Sequence, residues 1–571
     1  MLRVIFRLLA LIASLTLAWI GLSAEDDAWR LLLIVVLALL IAAFWPRRRE
    51  EETPLGHNVR LFGAFLLAAG MLMGLHLLRL QVWQAEAIRT QVANLPDGPV
   101  ENMRPYIAER RTQRGRIYDR NGTLLADTAI TASGWAQRTY PRADLGHIVG
   151  FYNPLYGNSG LEATYDDYLA GRAGEEPMAV FIEDLLHRAR VGDDLTLTLD
   201  VGLQEAAQAA YEEVTAEALE ENCPEGQCPG AVVLLDVRTG AILALYAYPR
   251  FDPRPMVFDP EAEDWNAEQD RITLYWQSLI SDTAAPLVDR ATNGLYPPGS
   301  TFKTFTAAAI IETGLATPDT IITCPEHYTV TGHVVVNAVS NLASNMEKEN
   351  LLEDYQWSCN TAFAQMGLML GADRFSEYAK RFGLTYRNLA MSRWTDLLDL
   401  PSAVPTVAND RAFLDRQTAV ADSAYGQGQV SVTPLYMAML AATIANDGMM
   451  MRPHLVEQVV SPDGQVRYQA EPTLLRVPIG RKTAQTMNLL MVVAVEDGYG
   501  WRAKIDGVKV AGKTGTAEPG TGDPHAWFIA FAPADNPRYA VAVVVEHGGH
   551  GSRVAAPIAK LVLEAALGIG E

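Results

Sequence analysis

Apolar residues are spread very unevenly along this chain. Three uncharged, Leu/Ala-rich runs, residues 8–24, 31–45 and 61–78, crowd its N-terminal end. A bilayer span takes about 20 residues, with about 17 as a lower limit. The first and third runs meet that, and the second does so if Trp29 and Arg30 extend it to the interface. From 84 to 204 the pattern turns mixed, charged and turn-rich. Residues 114–126 read as two strands around an Asn121-Gly122 hairpin turn. Residues 195–199 alternate strictly, as a half-buried strand does, and 201–216 follow a helical period.

A second compact unit starts near Gly230. Residues 231–236 and 241–246 are short apolar runs around a turn at 237–240, a hairpin of buried strands. Residues 527–531 and 539–545 form a second such pair around Asp535-Asn536-Pro537. An extended segment at 508–517 brings the count to about five antiparallel strands. Helical patterns cover 300–313, 434–446 and 556–567. Terminal strands that meet in one sheet around a helical insertion predict an α+β fold. The expected division is a membrane region of up to three transmembrane helices at 1–83, an elongated pedestal at 84–228 and a catalytic-type domain at 229–571.

Charge orients the membrane region. Arg3 and Arg7 flank the first run, Arg47, Arg48 and Arg49 follow the second, and Glu25, Asp26 and Asp27 fill the intervening loop. The positive-inside rule puts the N-terminus and the Arg47 loop in the cytoplasm and everything after about Val82 outside. Leu22-Ser23-Ala24 also resembles a signal-peptidase site, and cleavage there leaves that orientation unchanged. Across 571 residues the net charge is −21, unlike a nucleic-acid binder with its basic face. Of four cysteines, Cys223 and Cys228 bracket a short polar loop, where a disulfide fits an exported domain better than a metal pair without histidine. Cys324 and Cys359 receive no role.

Three short motifs carry chemistry. Pro297-Pro298-Gly299 breaks the chain just before Ser300, and the apolar helix that follows places Lys303 one turn on, on the same face. The helix dipole favours negative charge developing at Ser300. A serine hydroxyl needs a base, and a lysine serves if burial and nearby cations lower its pKa. The plainer alternative is a capping serine and a surface lysine, which the lack of a polar face around Lys303 opposes. Ser358-Cys359-Asn360 precedes another apolar run, and by itself reads equally as a helix cap. Functionally, Ser358 would relay a proton to a leaving amine and Asn360 would hold a peptide carbonyl. The third motif, Lys513-Thr514-Gly515, completes a G-x-x-x-x-G-K-[ST] pattern from Gly507. A polar, turn-rich stretch precedes Gly507, and Pro519, Gly520, Gly522 and Pro524 follow, so no P-loop helix can form. An extended strand places Lys513 as a cation beside a cleft, suited to a carboxylate.

Order and context of these motifs resemble the S-x-x-K, S-x-N, K-T-G set of penicillin-binding proteins. Tyr296-Pro297-Pro298-Gly299-Ser300-Thr301-Phe302-Lys303, the Gly426-Gln427-Gly428-Gln429 stretch and Lys513-Thr514-Gly515-Thr516-Ala517-Glu518 carry the likeness. Arg114-Gly115-Arg116-Ile117-Tyr118-Asp119-Arg120-Asn121-Gly122 and Gly160-Leu161-Glu162 carry it through the pedestal. The whole is similar to a class B member, a monofunctional peptidoglycan D,D-transpeptidase, from about Arg114 to the C-terminus. Asp289-Arg290-Ala291 departs from the family's Asn-Arg-Ala, and three membrane runs exceed the usual one.

The resemblance implies that Ser300 attacks a D-Ala-D-Ala stem peptide, Lys303 acts as base and an amine on a neighbouring stem takes the acyl group. It implies an oxyanion hole from the amides of Ser300 and Thr516, with Lys513, Thr514 and Thr516 on the terminal carboxylate and Gly515 beside them. β-Lactams would acylate Ser300, and neither metal nor organic cofactor is implied. A D,D-carboxypeptidase or β-lactamase-like acyltransferase shares this chemistry, and a non-catalytic division scaffold is the reading of another class. The implied setting is the bacterial cell membrane with the catalytic domain outside. A multi-spanning glycosyltransferase of the shape, elongation, division and sporulation (SEDS) class is the implied partner. Gly63, Ala64, Ala68, Ala69, Gly70 and Gly74 in the third run suit close helix approach there, or equally a lipid-facing anchor.

Overall fold

The computed structural model describes residues 2–23, 26–46, 53–84, 93–95, 98–100, 112–153, 156–174, 190–218, 228–389 and 399–569. The chain divides into two compact units, Met1–Glu109 and Arg110–Glu571.

The first unit carries helices α1 (Leu2–Gly21), α2 (Asp26–Phe44) and α3 (Pro54–Leu78). The Thr53 side chain accepts from the Gly56 amide and Pro54 occupies the first turn, so α3 starts on a cap and a preset φ. By length and composition α3 is apolar enough to cross a membrane, while α1 and α2 contribute shorter apolar stretches, Ile5–Gly21 and Ala28–Phe44. Ala18, Val36, Leu40 and Ala68 form a small internal core, and Phe6, Trp19, Leu31 and Phe62 stay exposed. The basic loop at Arg47–Arg49 and the acidic Glu25 lie outside the described residues.

In the second unit, β1 (Ile117–Tyr118) and β2 (Leu124–Ile130) flank the Asn121-Gly122 turn, with Gly122 at φ +84°. Asp119 Oδ1 accepts from the Asn121 and Thr123 amides and fixes that turn. There follow β3 (Ala136–Thr139), β4 (Asp194–Leu197) and α4 (Val201–Ala218). Next come β5 (Gly230–Asp236), β6 (Ile242–Tyr248), α5 (Lys303–Glu312), β7 (His327–Val330), β8 (His333–Val336), α6 (Leu351–Gln356) and α7 (Asn360–Arg381). The chain continues through α8 (Pro434–Ala445), β9 (Val456–Val460), β10 (Val466–Gln469) and α9 (Arg481–Glu496). It ends with β11 (Ala511–Ala517), β12 (His525–Ala532), β13 (Tyr539–Val545) and α10 (Ala555–Leu567).

Two sheets organise these elements. The five-stranded sheet runs β6-β5-β13-β12-β11, antiparallel throughout. Its strands are buried along nearly their whole length, because helices cover both faces. Alternate residues divide between two cores. Val232, Leu234, Phe528 and Val543 pack with α4 and α10, whereas Val233, Leu235, Ile529 and Ala542 face the core that holds α5 and α8. The six-stranded pedestal sheet runs β10-β9-β4-β1-β2-β3. Two of its strands come from residues 456–469, so the pedestal sheet is not confined to residues 84–228. Of the two cysteines expected to pair there, Cys228 is disulfide-bonded and Cys223 lies outside the described residues.

Candidate active site

Ser300 lies in a single 3₁₀ turn, Gly299–Phe302, that leads directly into α5. The turn is wedged against β11. Gly299 has φ +54°, and a Cβ there would stand 2.4 Å from the Thr516 carbonyl oxygen. Only glycine allows that approach. The Gly299 amide donates to Gly426 O at 3.0 Å, and Trp527 Nε1 of β12 donates to Pro297 O at 3.1 Å. Pro297, Gly299 and Gly426 thus hold the serine turn between the edge strand and the Gly426-Gln427-Gly428 loop.

Lys303 begins α5 and is fully buried. Its Nζ donates to Ser358 O at 2.7 Å, Ser358 Oγ at 3.0 Å and Asn360 Oδ1 at 2.7 Å. Ser358 sits between α6 and α7 at φ +58°, a conformation unusual for a non-glycine residue. In it both oxygens of the serine meet the same ammonium. Burial lowers the Lys303 pKa well below the usual lysine range, the nearby Lys513 lowers it further, and Asp354 opposes both. The S-x-x-K and S-x-N motifs therefore meet at one nitrogen.

Ser300, Ser358, Asn360, Thr514, Gly515 and Thr516 line one cleft of about 330 Å³. Lys513 precedes the last three of these residues on β11. It is buried behind the cleft wall, 5.6 Å from the Tyr355 ring centre, with Nζ donating to Thr514 O at 3.2 Å. Burial lowers its pKa to about 7. Its strand neighbours Thr514 and Thr516 line the cleft directly. Asn360 Nδ2 donates one hydrogen bond, to Val336 O at 3.0 Å.

Three features were not anticipated. Cys324 and Cys359 form a disulfide, with their Cα atoms 6.1 Å apart, and it fixes the middle residue of the S-x-N motif. The signal was present, because both cysteines belong to the part read as exported, where thiols pair. Asp354 is wholly buried, and among the described residues neither carboxyl oxygen has a hydrogen-bond partner. Burial and then Glu349 raise its pKa to about 8. An oxygen of Asp354 lies within 4.8 Å of the two cysteine sulfurs, but sulfurs bonded to each other are not thiolate ligands. Asn337, described below, carried no sequence signal. The departure at Asp289 has a local use, since its carboxylate accepts from the Ala291 amide at 3.0 Å and the Thr292 hydroxyl at 2.6 Å.

A buried lysine that joins a serine turn to an S-x-N loop, opposite a K-T-G edge strand, defines a serine acyltransferase of the penicillin-binding type. Comparison with known proteins agrees. Residues 230–564 match the penicillin binding protein transpeptidase domain, and residues 114–195 match the penicillin binding protein A dimerisation domain. The chain belongs to the class B penicillin-binding proteins. The peptidoglycan D,D-transpeptidase PbpA of Mycolicibacterium smegmatis is 34% identical over 503 residues, which span 85% of this chain and 94% of that protein. The peptidoglycan D,D-transpeptidase MrdA of Haemophilus influenzae is 29% identical over 72% of this chain and 62% of its own. The imipenem acyl-enzyme complex of penicillin-binding protein A from M. tuberculosis superimposes with a TM-score of 0.68 at 33% identity, covering 80% of this chain and 99% of that structure.

Proposed function

We propose that this chain is a peptidoglycan D,D-transpeptidase that works through an acyl-enzyme on Ser300. The observation that carries the reading is the buried Lys303, whose nitrogen touches Ser358 and Asn360 beside the serine turn. In the neutral form favoured by burial, Lys303 takes the Ser300 proton as Oγ attacks the penultimate D-Ala carbonyl of a stem peptide. The tetrahedral oxyanion lies against the amides of Ser300 and Thr516; one such donor is worth about 3 kcal/mol in acyl transfer. The C–N bond to the terminal D-Ala breaks, and Ser358 passes the proton from Lys303 to the leaving amine. An amine of a neighbouring stem then attacks the ester carbonyl, forms the cross-link and returns the proton to Ser300. Thr514 and Thr516 receive the terminal carboxylate, in the field of Lys513. A β-lactam follows the same first step and stays as the ester.

The three-part division at 1–83, 84–228 and 229–571 belongs to this proposal, as does anchoring of the N-terminal region in the bacterial cell membrane with the catalytic domain outside. The apolar helix α3 and the exposed Phe62, Phe65 and Met73 along it support the anchor. A monofunctional transpeptidase also needs a polymerase, and a SEDS-class glycosyltransferase in the same membrane fills that role. Among the described residues, added Cβ atoms at Gly63, Gly70 and Gly74 of α3 would meet nothing within 4 Å, which suits that face to a helix partner.

Two assays test the reading. Fluorescent penicillin should label the chain covalently, and Ser300→Ala should abolish labelling while leaving thermal unfolding intact. Stoichiometric labelling of Ser300→Ala would place the nucleophile elsewhere. With a pentapeptide donor and an amine acceptor, cross-linked product should accompany D-Ala release. Release with water as the only acceptor would make the enzyme a carboxypeptidase.

A further inference from the structure

The S-x-N loop has to be held in an unusual backbone conformation, and the means lies outside the three motifs. The hairpin β7–β8 comes well before Ser358 in sequence, and its exit strand reaches the start of α7. Asn337, the residue after β8, places its side chain between the two. Its Oδ1 accepts from the backbone amides of Asn360 at 2.9 Å and Thr361 at 3.2 Å, two of the donors that a helix start leaves without partners. Its Nδ2 donates to Pro325 O at 3.1 Å, at the entry to the hairpin. Val336 O receives Asn360 Nδ2, and Thr361 Oγ1 donates to Pro325 O at 2.8 Å. The Cys324–Cys359 bond closes the same circuit covalently.

Elsewhere the hairpin is held by His333 Nε2 against Asp422 Oδ1 at 3.0 Å and by a small apolar contact that includes Tyr328. Val330 and Val335 are its buried residues, packed on Ala364 and Ala421, while Thr329, Val334 and Val336 are exposed. Val336 and Asn337 also line the cleft. One carboxamide therefore ties a surface hairpin to the backbone of Asn360, the residue whose Oδ1 receives the Lys303 ammonium.

We propose that Asn337 is a positioning residue for acylation, which holds Asn360 and through it Lys303 in register with Ser300, and that the Cys324–Cys359 bond keeps Asn337 in place. The inference rests on Ser300 as nucleophile and Lys303 as base. A group that positions the base acts on the chemical step, so its loss lowers the acylation rate constant k2 and leaves the initial binding constant K′ nearly unchanged.

Stopped-flow acylation of the full chain by penicillin separates the two constants. Asn337→Ala should lower k2 by about tenfold or more, the scale of a small misplacement of catalytic groups, with K′ within about threefold. Asn337→Asp keeps an oxygen that accepts from both amides, and should recover k2 to within about threefold of the parent. A k2 in Asn337→Ala within about twofold of the parent would overturn the proposal, as would an Asp variant as slow as the Ala variant. If Asn337→Ala loses its cooperative melt, the double variant Cys324→Ser/Cys359→Ser decides. It should lower k2 about fivefold at constant K′, and an unchanged k2 would overturn the role of the bond. Ser300→Ala run in parallel tells the failures apart, because persistent labelling there sinks the nucleophile assignment and an inert Asn337→Ala sinks only this inference.

Discussion

The pedestal and the cleft both bury charged side chains, and they treat them in opposite ways. In the pedestal, Arg114, Arg138 and Glu162 are all buried. Glu162 Oε2 accepts from Arg114 Nε at 2.9 Å, and Oε1 accepts from Arg138 Nε at 2.5 Å and from the Tyr140 hydroxyl at 3.2 Å. Burial alone would raise the Glu162 pKa, yet the two guanidiniums outweigh it and hold the carboxylate below its ordinary value. Behind the cleft, Lys303, Lys513 and Asp354 are buried as deeply, and among the described residues no ion pair reaches them. Burial pushes both amines down and the acid up. Where charges are paired they stay charged and hold the structure. Where partners are withheld, groups approach neutrality near working pH and can exchange protons.

The comparison fails most visibly if Lys303 needs only its charge. Lys303→Arg keeps a cation that cannot accept a proton, so acylation should fall about 10³-fold with the fold intact. Substantial rescue by arginine in stopped-flow acylation would make the cleft lysine an electrostatic group like those of the pedestal. On the pedestal side, Glu162→Gln should cost about 3 kcal/mol of stability by leaving two guanidiniums without their shared anion. Denaturant titration reads that loss, while acylation per folded molecule should not change.

A smaller effect concerns pH. The folded-state pKa of Asp354, about 8, lies above its unfolded value, so its contribution to stability is fully present below about pH 4 and is lost as pH rises toward 8. Asp354→Asn removes that dependence. Its thermal midpoint should exceed the parent's by more at pH 7.5 than at pH 5, a gain in stability that grows by about 3 kcal/mol at most between the two. Equal gains at both pH values would mean that Asp354 ionises as an ordinary exposed acid does.

Much of this was legible in the sequence because apolar runs and breakers are local signals. The strands at 230–248 and 525–545, the helix after Pro297-Pro298-Gly299 and the Asn121-Gly122 turn all follow from neighbours in the chain. The three catalytic motifs are also short, so each could be read where it stands. What stayed hidden depends on contacts between distant residues. Helix α7 passes from an apolar to a charged half across a kink at Gly371, which blurs its period. Recruitment of residues 456–469 into the pedestal sheet follows from pairing with β4, not from their own pattern. The depth of Lys513 was hidden too, because a strand pattern does not tell which face is outward when both faces are covered. Asn337 is one asparagine on a hairpin, and only its partners reveal its use.

The order of strands in the catalytic sheet has a consequence for how the protein is made. β5 lies between β6 and β13, and β13 carries β12 and then β11. After β6 has paired, the other edge of β5 waits for Tyr539–Val545, near the end of the chain. At typical synthesis rates of 5–20 residues per second that wait lasts roughly 15–60 s, with an apolar edge exposed to wrong pairing. A chain cut short before Lys513 carries Ser300, Lys303, Ser358 and Asn360 but lacks the wall that completes their cleft.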